Sequence, residues 1–212
     1  MMSTAPLTNR ALTNKERLVA QARRLFAENG YAAVSVDEVA AAAGLTKGAV
    51  YYQFKDKTDL FRAACDAVMA DVARYVDLST MAESPHPLEE IIVGGSKMFD
   101  AYEAADARRL LLIDGPSVLG FQPWIALQEP VCIGLIAHAM GHLAEAGLLD
   151  EAVVPTLSHL VFGAFVQGAL RIAVAADPAT ASLEVRAATL TLIRGFLAGI
   201  AANPQMGQPT PP

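Results

Sequence analysis

A chain of 212 residues is long enough to bury a sizeable core, and 53% hydrophobic but only 7% aromatic residues, with Ala and Leu throughout, favour helices over strands. The net charge of -6 excludes a uniformly basic nucleic-acid binder, yet the sum hides a division. Residues 1–57 hold eight basic and five acidic side chains, a net of +3, and the remainder carries -9.

The opening MMSTAPLTNRAL, residues 1–12, reads as a flexible arm. It lacks the basic segment and apolar run of a secretory signal, so a cytoplasmic location is expected. Arg10 is a lone basic residue there and reads as solvated rather than as a minor-groove contact.

Thr13 and Glu16 stand at capping-box spacing and open a first helix that buries Leu18, Ala22, Leu25 and Phe26 and stops at Asn29-Gly30. Ser35 and Glu38 repeat the device for a second helix with Val36, Val39, Ala40 and Ala43 on one face, ending at Gly44. Thr46 caps a third, short helix through about Tyr52. Asp56 and Asp59 cap a fourth that carries Leu60, Phe61, Ala64, Val68 and Val72.

Further breaks are expected near Ser84-Pro85-His86-Pro87, Asp114-Gly115-Pro116, Gln122-Pro123, Gly147 to Pro155 and Asp177-Pro178. About nine helices result, in an all-α chain with no strand alternation. The last two long ones, about Thr156 to Ala176 and Leu183 to Ala202, are the most apolar. The uncharged stretch from Ala152 to Leu170 is long enough to span a bilayer, but it contains Pro155, Ser158, His159 and Gln167 and runs into Arg171, so a buried helix and no membrane contact are expected. Residues 204–212 read as a disordered tail. Cys65 and Cys132 lie far apart in apolar surroundings with no metal-ligand spacing and read as buried thiols.

Residues 35–52 have the requirements of a helix-turn-helix: an inward first helix, a glycine turn at Gly44, and a second helix with small or polar residues at its leading end. Val39, Ala40, Leu45 and Val50 can lock the pair, leaving Thr46, Lys47, Gly48 and Ala49 free to enter a major groove. Lys donates to guanine acceptors, Thr bonds base edges or phosphate, and Ala fits a thymine methyl. Tyr51 and Tyr52 are adjacent and cannot both be core, so at least one phenol projects toward phosphate. Phe54 anchors the helix to the first and fourth. Lys57, at the start of the fourth helix, combines its charge with free backbone N–H groups as a phosphate site.

The segment GLTKGAVYYQFKDKTDLF, with the preceding SVDEVAAAAG, resembles the TetR family of regulators over about residues 13–62. The resemblance implies a homodimer whose third helices enter successive major grooves of a palindromic operator, with contacts at Thr46, Lys47, Ala49, Tyr51, Tyr52 and Lys57; Gly48, which lets backbone approach closely, and Ser35, the cap of the second helix, complete the expected DNA-binding set. One departure is Tyr52, where many members carry His. The segment IDGPSVLG is similar to one that follows a short sixth helix in a subset of the family. The expected organisation is a helix-turn-helix domain at 13–58 and an effector-binding and dimerisation domain at 59–203. The alternative for the head is a three-helix core with packing tyrosines.

The last two helices are apolar on more than one face, Gly163 and Gly168 allow close backbone approach, and a four-helix bundle between two copies is expected. Such pairing also holds two recognition helices about 34–36 Å apart. Between the fifth, seventh and eighth helices, Met98, Phe99, Tyr102, Phe121, Trp124, His138, His142, Phe162 and Phe165, with Met140 and His159, are the candidates for an apolar effector pocket with a few polar handles. His138 and His142 share a helical face at i and i+4, but no third ligand is visible nearby in sequence, so no metal site and no cofactor are expected. The sequence lacks a nucleophile elbow, phosphate loop or dinucleotide fingerprint, which argues against an enzyme. The expected function is a repressor released by a small, partly apolar effector; an activator or a helical adaptor with the same head is the alternative.

Overall fold

Local hydrogen bonds set the first four helices of the computed structural model, which describes residues 12–80 and 87–202. Residues 1–11 of the expected arm, Arg10 among them, and the expected tail lie outside the described residues. Helix α1 (Asn14–Asn29) opens on a complete capping box: Glu16 N–H donates to Thr13 Oγ1 at 3.2 Å, and Thr13 N–H to the Glu16 carboxylate at 2.7 Å. Helix α2 (Val36–Ala42) has the same pair of bonds between Ser35 and Glu38. It ends with Gly44 N–H on the Ala41 carbonyl (3.0 Å) and Leu45 N–H on that of Ala40 (2.9 Å). That double bond needs a left-handed residue, and Gly44 supplies it at φ 65°.

Thr46 caps α3 (Lys47–Gln53) by accepting from Ala49 N–H at 3.2 Å, and Asp56 caps α4 (Lys57–Thr80) by accepting from Asp59 N–H at 2.8 Å. Leu18, Ala22, Phe26, Val39, Val50, Phe54, Leu60 and Phe61 are buried between these helices. Phe26 and Tyr31 both meet the Phe61 ring edge-on, at 5.3 and 5.1 Å.

Among the described residues the chain forms nine helices and no strand. Beyond α4 come α5 (Pro87–Glu103), α6 (107–119), α7 (Phe121–Glu145), α8 (Glu151–Val174) and α9 (Pro178–Ala202). Helix α4 packs on α1 and α5; α6 is wedged against α1, α4, α5 and α8; α7 lies on α5 and α8; α8 pairs with α9.

The expected break at Asp114-Gly115-Pro116 is instead a change of pitch. Residues Ala107–Asp114 are π-helical and Gly115–Leu119 are α-helical, with no interruption. Pro116 stands in the first turn of the α-helical part, where its missing N–H leaves nothing unbonded. A Cβ on Gly115 would lie 2.7 Å from the Leu110 carbonyl oxygen, so only glycine fits the junction. The segment Ile113–Gly120 therefore closes α6 rather than following it. Side chains from neighbouring helices bond the wide segment: Trp124 Nε1 donates to the Leu111 carbonyl at 2.6 Å, and Cys65 Sγ faces that of Leu110 at 3.8 Å.

Helix α8 starts on a 3-10 turn with Pro155 in its first α-helical turn, and α9 starts five residues before Leu183, because Asp177 accepts from Ala179 N–H (3.1 Å) and Thr180 N–H (3.3 Å). Helix α8 buries one face within the chain and leaves the other open. Phe162, Phe165, Val166, Ala169 and Ile172 face the core, whereas Leu160 and Val174 are 65% and 74% exposed. A helix with two apolar faces has found a partner for one of them.

Candidate functional site

The turn between α2 and α3 is fixed from beneath. Arg17 of α1 donates through Nη2 to the Ala43 carbonyl, and Val50 is buried under α3. What remains outside is the leading end: Thr46, Lys47 and Gly48 are exposed and Ala49 is half-buried. Tyr51 is 50% and Tyr52 87% exposed, so both side chains project from the helix. Phe54 is buried, as anchoring requires. Arg17 escaped the sequence reading because its role depends on a carbonyl 26 residues away.

Several of the expected contact residues already have partners. Lys47 Nζ lies 2.9 Å from Asp37, and that bond raises the lysine pKa. Ser35 both accepts from Glu38 N–H and donates to the Glu38 carboxylate at 2.8 Å. Lys57 Nζ sits 4.1 Å above the Tyr31 ring, and partial burial pulls its pKa down while Glu38 pulls it up. Thr46 spends its oxygen on the cap yet keeps its hydroxyl proton to donate.

Between head and body runs a second polar constellation that sequence spacing did not reveal. Arg23 of α1 donates from Nε to Asp106 (2.6 Å), and its Nη1 pairs with Asp71 of α4. Tyr31 N–H, just past α1, donates to Asp114 of α6 at 2.8 Å, and Arg109 Nε reaches the same carboxylate at 3.1 Å. The second half of α1 and the turn after it are thus bonded to the two ends of the π-helical segment, through its cap Asp106 and its last residue Asp114.

The effector-pocket candidates divide. Met98, Phe99, Tyr102, Trp124, Met140, Phe162 and Phe165 are buried. Phe121, the first residue of α7, is 64% exposed and leans on Trp124 at 6.0 Å, so it is not interior. His138 and His159 are exposed and His142 half-buried, because the inward stripe of α7 is Cys132, Ile136, Ala139, Met140 and Leu143. His159 Nδ1 lies 2.9 Å from the Pro155 carbonyl on its own helix. His138 and His142 stack edge-on at 4.4 Å, where Glu90 of α5 meets them.

Phe99 and Phe165, with ring centroids 5.4 Å apart, line a cavity of about 190 Å³ between α5, α8 and α9, together with Ile92, Ser96, Leu190 and Ile193. A second cavity, about 310 Å³, lies between α1, α4, α5 and α6 and is lined by Arg23, Asp71, Tyr75, Asp100 and Asp106. Among the described residues the buried polar side chains are Gln128 and Ser158, with the Tyr102 hydroxyl beside Gln128. Tyr102 donates its hydroxyl to Gln128 Oε1 at 2.6 Å, and burial pushes its pKa well up, so it stays a neutral donor. Gln128 is fully buried, and its Nε2 has no partner among the described residues. Its one sequence signal is its position at i+4 between Trp124 and Cys132, a polar residue in a buried stripe.

Comparison with known proteins agrees with this geometry. Residues 18–64 match the family model of bacterial regulatory proteins, tetR family, and residues 89–196 match that of the Tetracyclin repressor-like C-terminal domain. The HTH-type transcriptional regulator AcrR of Shigella flexneri is 25% identical over 169 residues, 74% of this chain and 77% of that protein. The HTH-type transcriptional repressor BepR of Brucella suis is 29% identical over 96 residues, 42% of this chain and 44% of that protein. A TetR-family transcriptional regulator of Pectobacterium atrosepticum has the same fold, with a TM-score of 0.74, 27% identity, and coverage of 85% of this chain and 92% of that one. With its head and its helical body both matched, the chain belongs to the TetR family and is a DNA-binding transcriptional regulator.

Proposed function

We propose that the protein is a homodimeric repressor that occupies a palindromic operator and leaves it when a small, partly apolar effector enters the body. The exposed edge from Thr46 to Tyr52, on a seven-residue helix pinned by Val50 and by the Arg17–Ala43 bond, is the observation that carries DNA reading. Thr46, Lys47, Gly48 and Ala49 read bases, and Ser35, Tyr51, Tyr52 and Lys57 hold phosphates. Lys47 must exchange Asp37, and Ser35 must exchange Glu38, for the duplex. In this reading residues 13–58 form the DNA-binding unit and 59–203 the effector and dimerisation unit.

The uncovered face of α8 supports pairing through the last two helices. Leu160, Gly163 and Val174 share a face at helical spacing, and nothing lies within 4 Å of a Cβ placed on Gly163. Gly168 serves the chain itself, since a Cβ there would lie 2.7 Å from Val185 of α9. Leu183 and Leu192 of α9 are 72% and 59% exposed. The body offers the effector aromatic walls at Phe99 and Phe165 and hydrogen-bonding groups at Tyr102 and Gln128. Helix α6, bonded to the head through Asp114, is the element whose displacement would respace the two recognition helices.

The test is selection of duplexes from a random library and from the gene's own upstream region. An inverted repeat bound by two chains at moderate salt is expected; no palindromic site at that salt overturns the reading. Leu160→Glu should give monomers in sedimentation with unchanged helicity and lost operator binding, and an intact dimer would move the interface elsewhere. Effectors are sought by thermal shift and must also release the duplex.

A further inference from the structure

The fold assembles three metal-ligating groups from two helices that the sequence keeps 48 residues or more apart. Glu90 sits in the first turns of α5, and His138 and His142 lie on one face of α7. The Glu90 carboxylate is 3.0 Å from His142 Nδ1, the two imidazole centroids are 4.4 Å apart, and one ligand atom from each residue falls within 4.8 Å of the other two. The Glu90 and His142 side chains are only 25% and 36% exposed, and His138 forms the open rim.

We propose that Glu90, His138 and His142 hold one divalent zinc-class ion, with water in the fourth position. Two imidazoles and one carboxylate are borderline donors that suit Zn²⁺, whereas Mg²⁺ and Ca²⁺ seek oxygen ligands alone. Tetrahedral bonds of about 2.0–2.1 Å set donor atoms about 3.3–3.5 Å apart. The Glu90–His142 pair therefore widens slightly and His138 closes by at most about 1.4 Å from its separation within 4.8 Å, a shift within reach of side-chain rotation. The ion ties the start of α5 to α7. Because α5 also carries Phe99 and Tyr102 and packs on α4, metal occupancy acts on the same body as the effector.

The experiment uses the untagged full chain after chelator treatment, titrated with a zinc salt by calorimetry. One Zn²⁺ per chain, a raised melting temperature and no response to Mg²⁺ are expected. Glu90→Gln, His138→Ala and His142→Ala should each weaken zinc binding about tenfold or more, and His159→Ala should leave it unchanged. In the unsubstituted protein, zinc should shift the imidazole NMR signals of two of the four histidines, a readout that needs no variant. Co²⁺ should give visible bands without a thiolate charge-transfer feature. Absence of stoichiometric binding, or binding undiminished in His138→Ala and Glu90→Gln, overturns the proposal. So does a Glu90→Gln variant that loses the same stability with and without zinc, since that marks a simple ion pair.

Discussion

Asp114 is the residue through which α6 holds the end of α1, and replacing it with Ala isolates that link. Its side chain is 15% exposed and accepts from Tyr31 N–H at 2.8 Å and from Arg109 Nε at 3.1 Å. A hydrogen bond to a charged group is worth about 1.5–3 kcal/mol when its loss strands a half-buried N–H. The Arg109 pair, with an arginine side chain 39% exposed, adds less than about 1 kcal/mol. Asp114→Ala should therefore cost about 2–3 kcal/mol, which for a chain of this length lowers the melting temperature by about 4–12 °C. Asp114→Asn, which keeps an acceptor for Tyr31, should cost less. Circular dichroism at fixed protein concentration measures the loss. Gel retardation with and without effector then measures the coupling. The head should still bind its duplex, because the core around Phe26 and Phe61 is untouched, while the effector should release it less well. A melting temperature within about 1 °C of the parent, or an unaltered effector response, refutes the assignment of Asp114 to the joint.

Four further outcomes follow from the site. Asp37→Ala frees Lys47 and removes a negative charge beside the reading helix, so duplex affinity at low salt should rise about three- to tenfold in a retardation assay; a fall would mean that Asp37 positions Lys47. Lys57→Ala should make the slope of log affinity against log salt shallower by about one unit, and an unchanged slope removes Lys57 from the phosphate contacts. Burial pushes the Cys132 thiol up to about 11 and raises that of Cys65 as well, so native protein at about pH 8 should resist a thiol reagent that labels both after denaturation. Labelling of the native chain at the rate of a free thiol would contradict that burial. Asp71 and Glu103 are raised by burial but lowered further by Arg23 in one case, and by Ser182 and Arg186 in the other, ending below the usual carboxylate range. The stability they contribute is full above the unfolded value of about 4 and is lost as pH falls through their lower folded values. Arg23→Ala and Arg186→Ala should therefore unfold at higher pH than the parent in an acid titration followed by near-ultraviolet circular dichroism, and coincident curves would count against the pairing.

The head was legible because its signals are local. Thr13 with Glu16, Ser35 with Glu38, and Thr46 with Ala49 close their bonds within three residues, and Gly44 alone can make the turn that joins α2 to α3. The body was legible only in outline. Gly115-Pro116 carries the residues of a helix break, yet an α-helix can follow a π-helix there because the proline needs no donor and the glycine clears the Leu110 carbonyl. The histidines of α7 looked like pocket handles until the burial of Ile136 and Met140 turned their face outward. Their neighbour Glu90, like the Asp114 partner of Tyr31, belongs to a different helix, and no periodicity records such a meeting.

Trp124 is the chain's only tryptophan, buried at 4% exposure, with its indole N–H on a carbonyl of α6. Ultraviolet emission from the unlabelled protein is therefore a private gauge of the contact between α7 and α6. A displacement of α6 that opens the Leu111 bond admits water to the ring and moves the emission to the red. Stopped-flow mixing can time that shift against loss of the duplex, ordering the two events on a clock already built into the sequence.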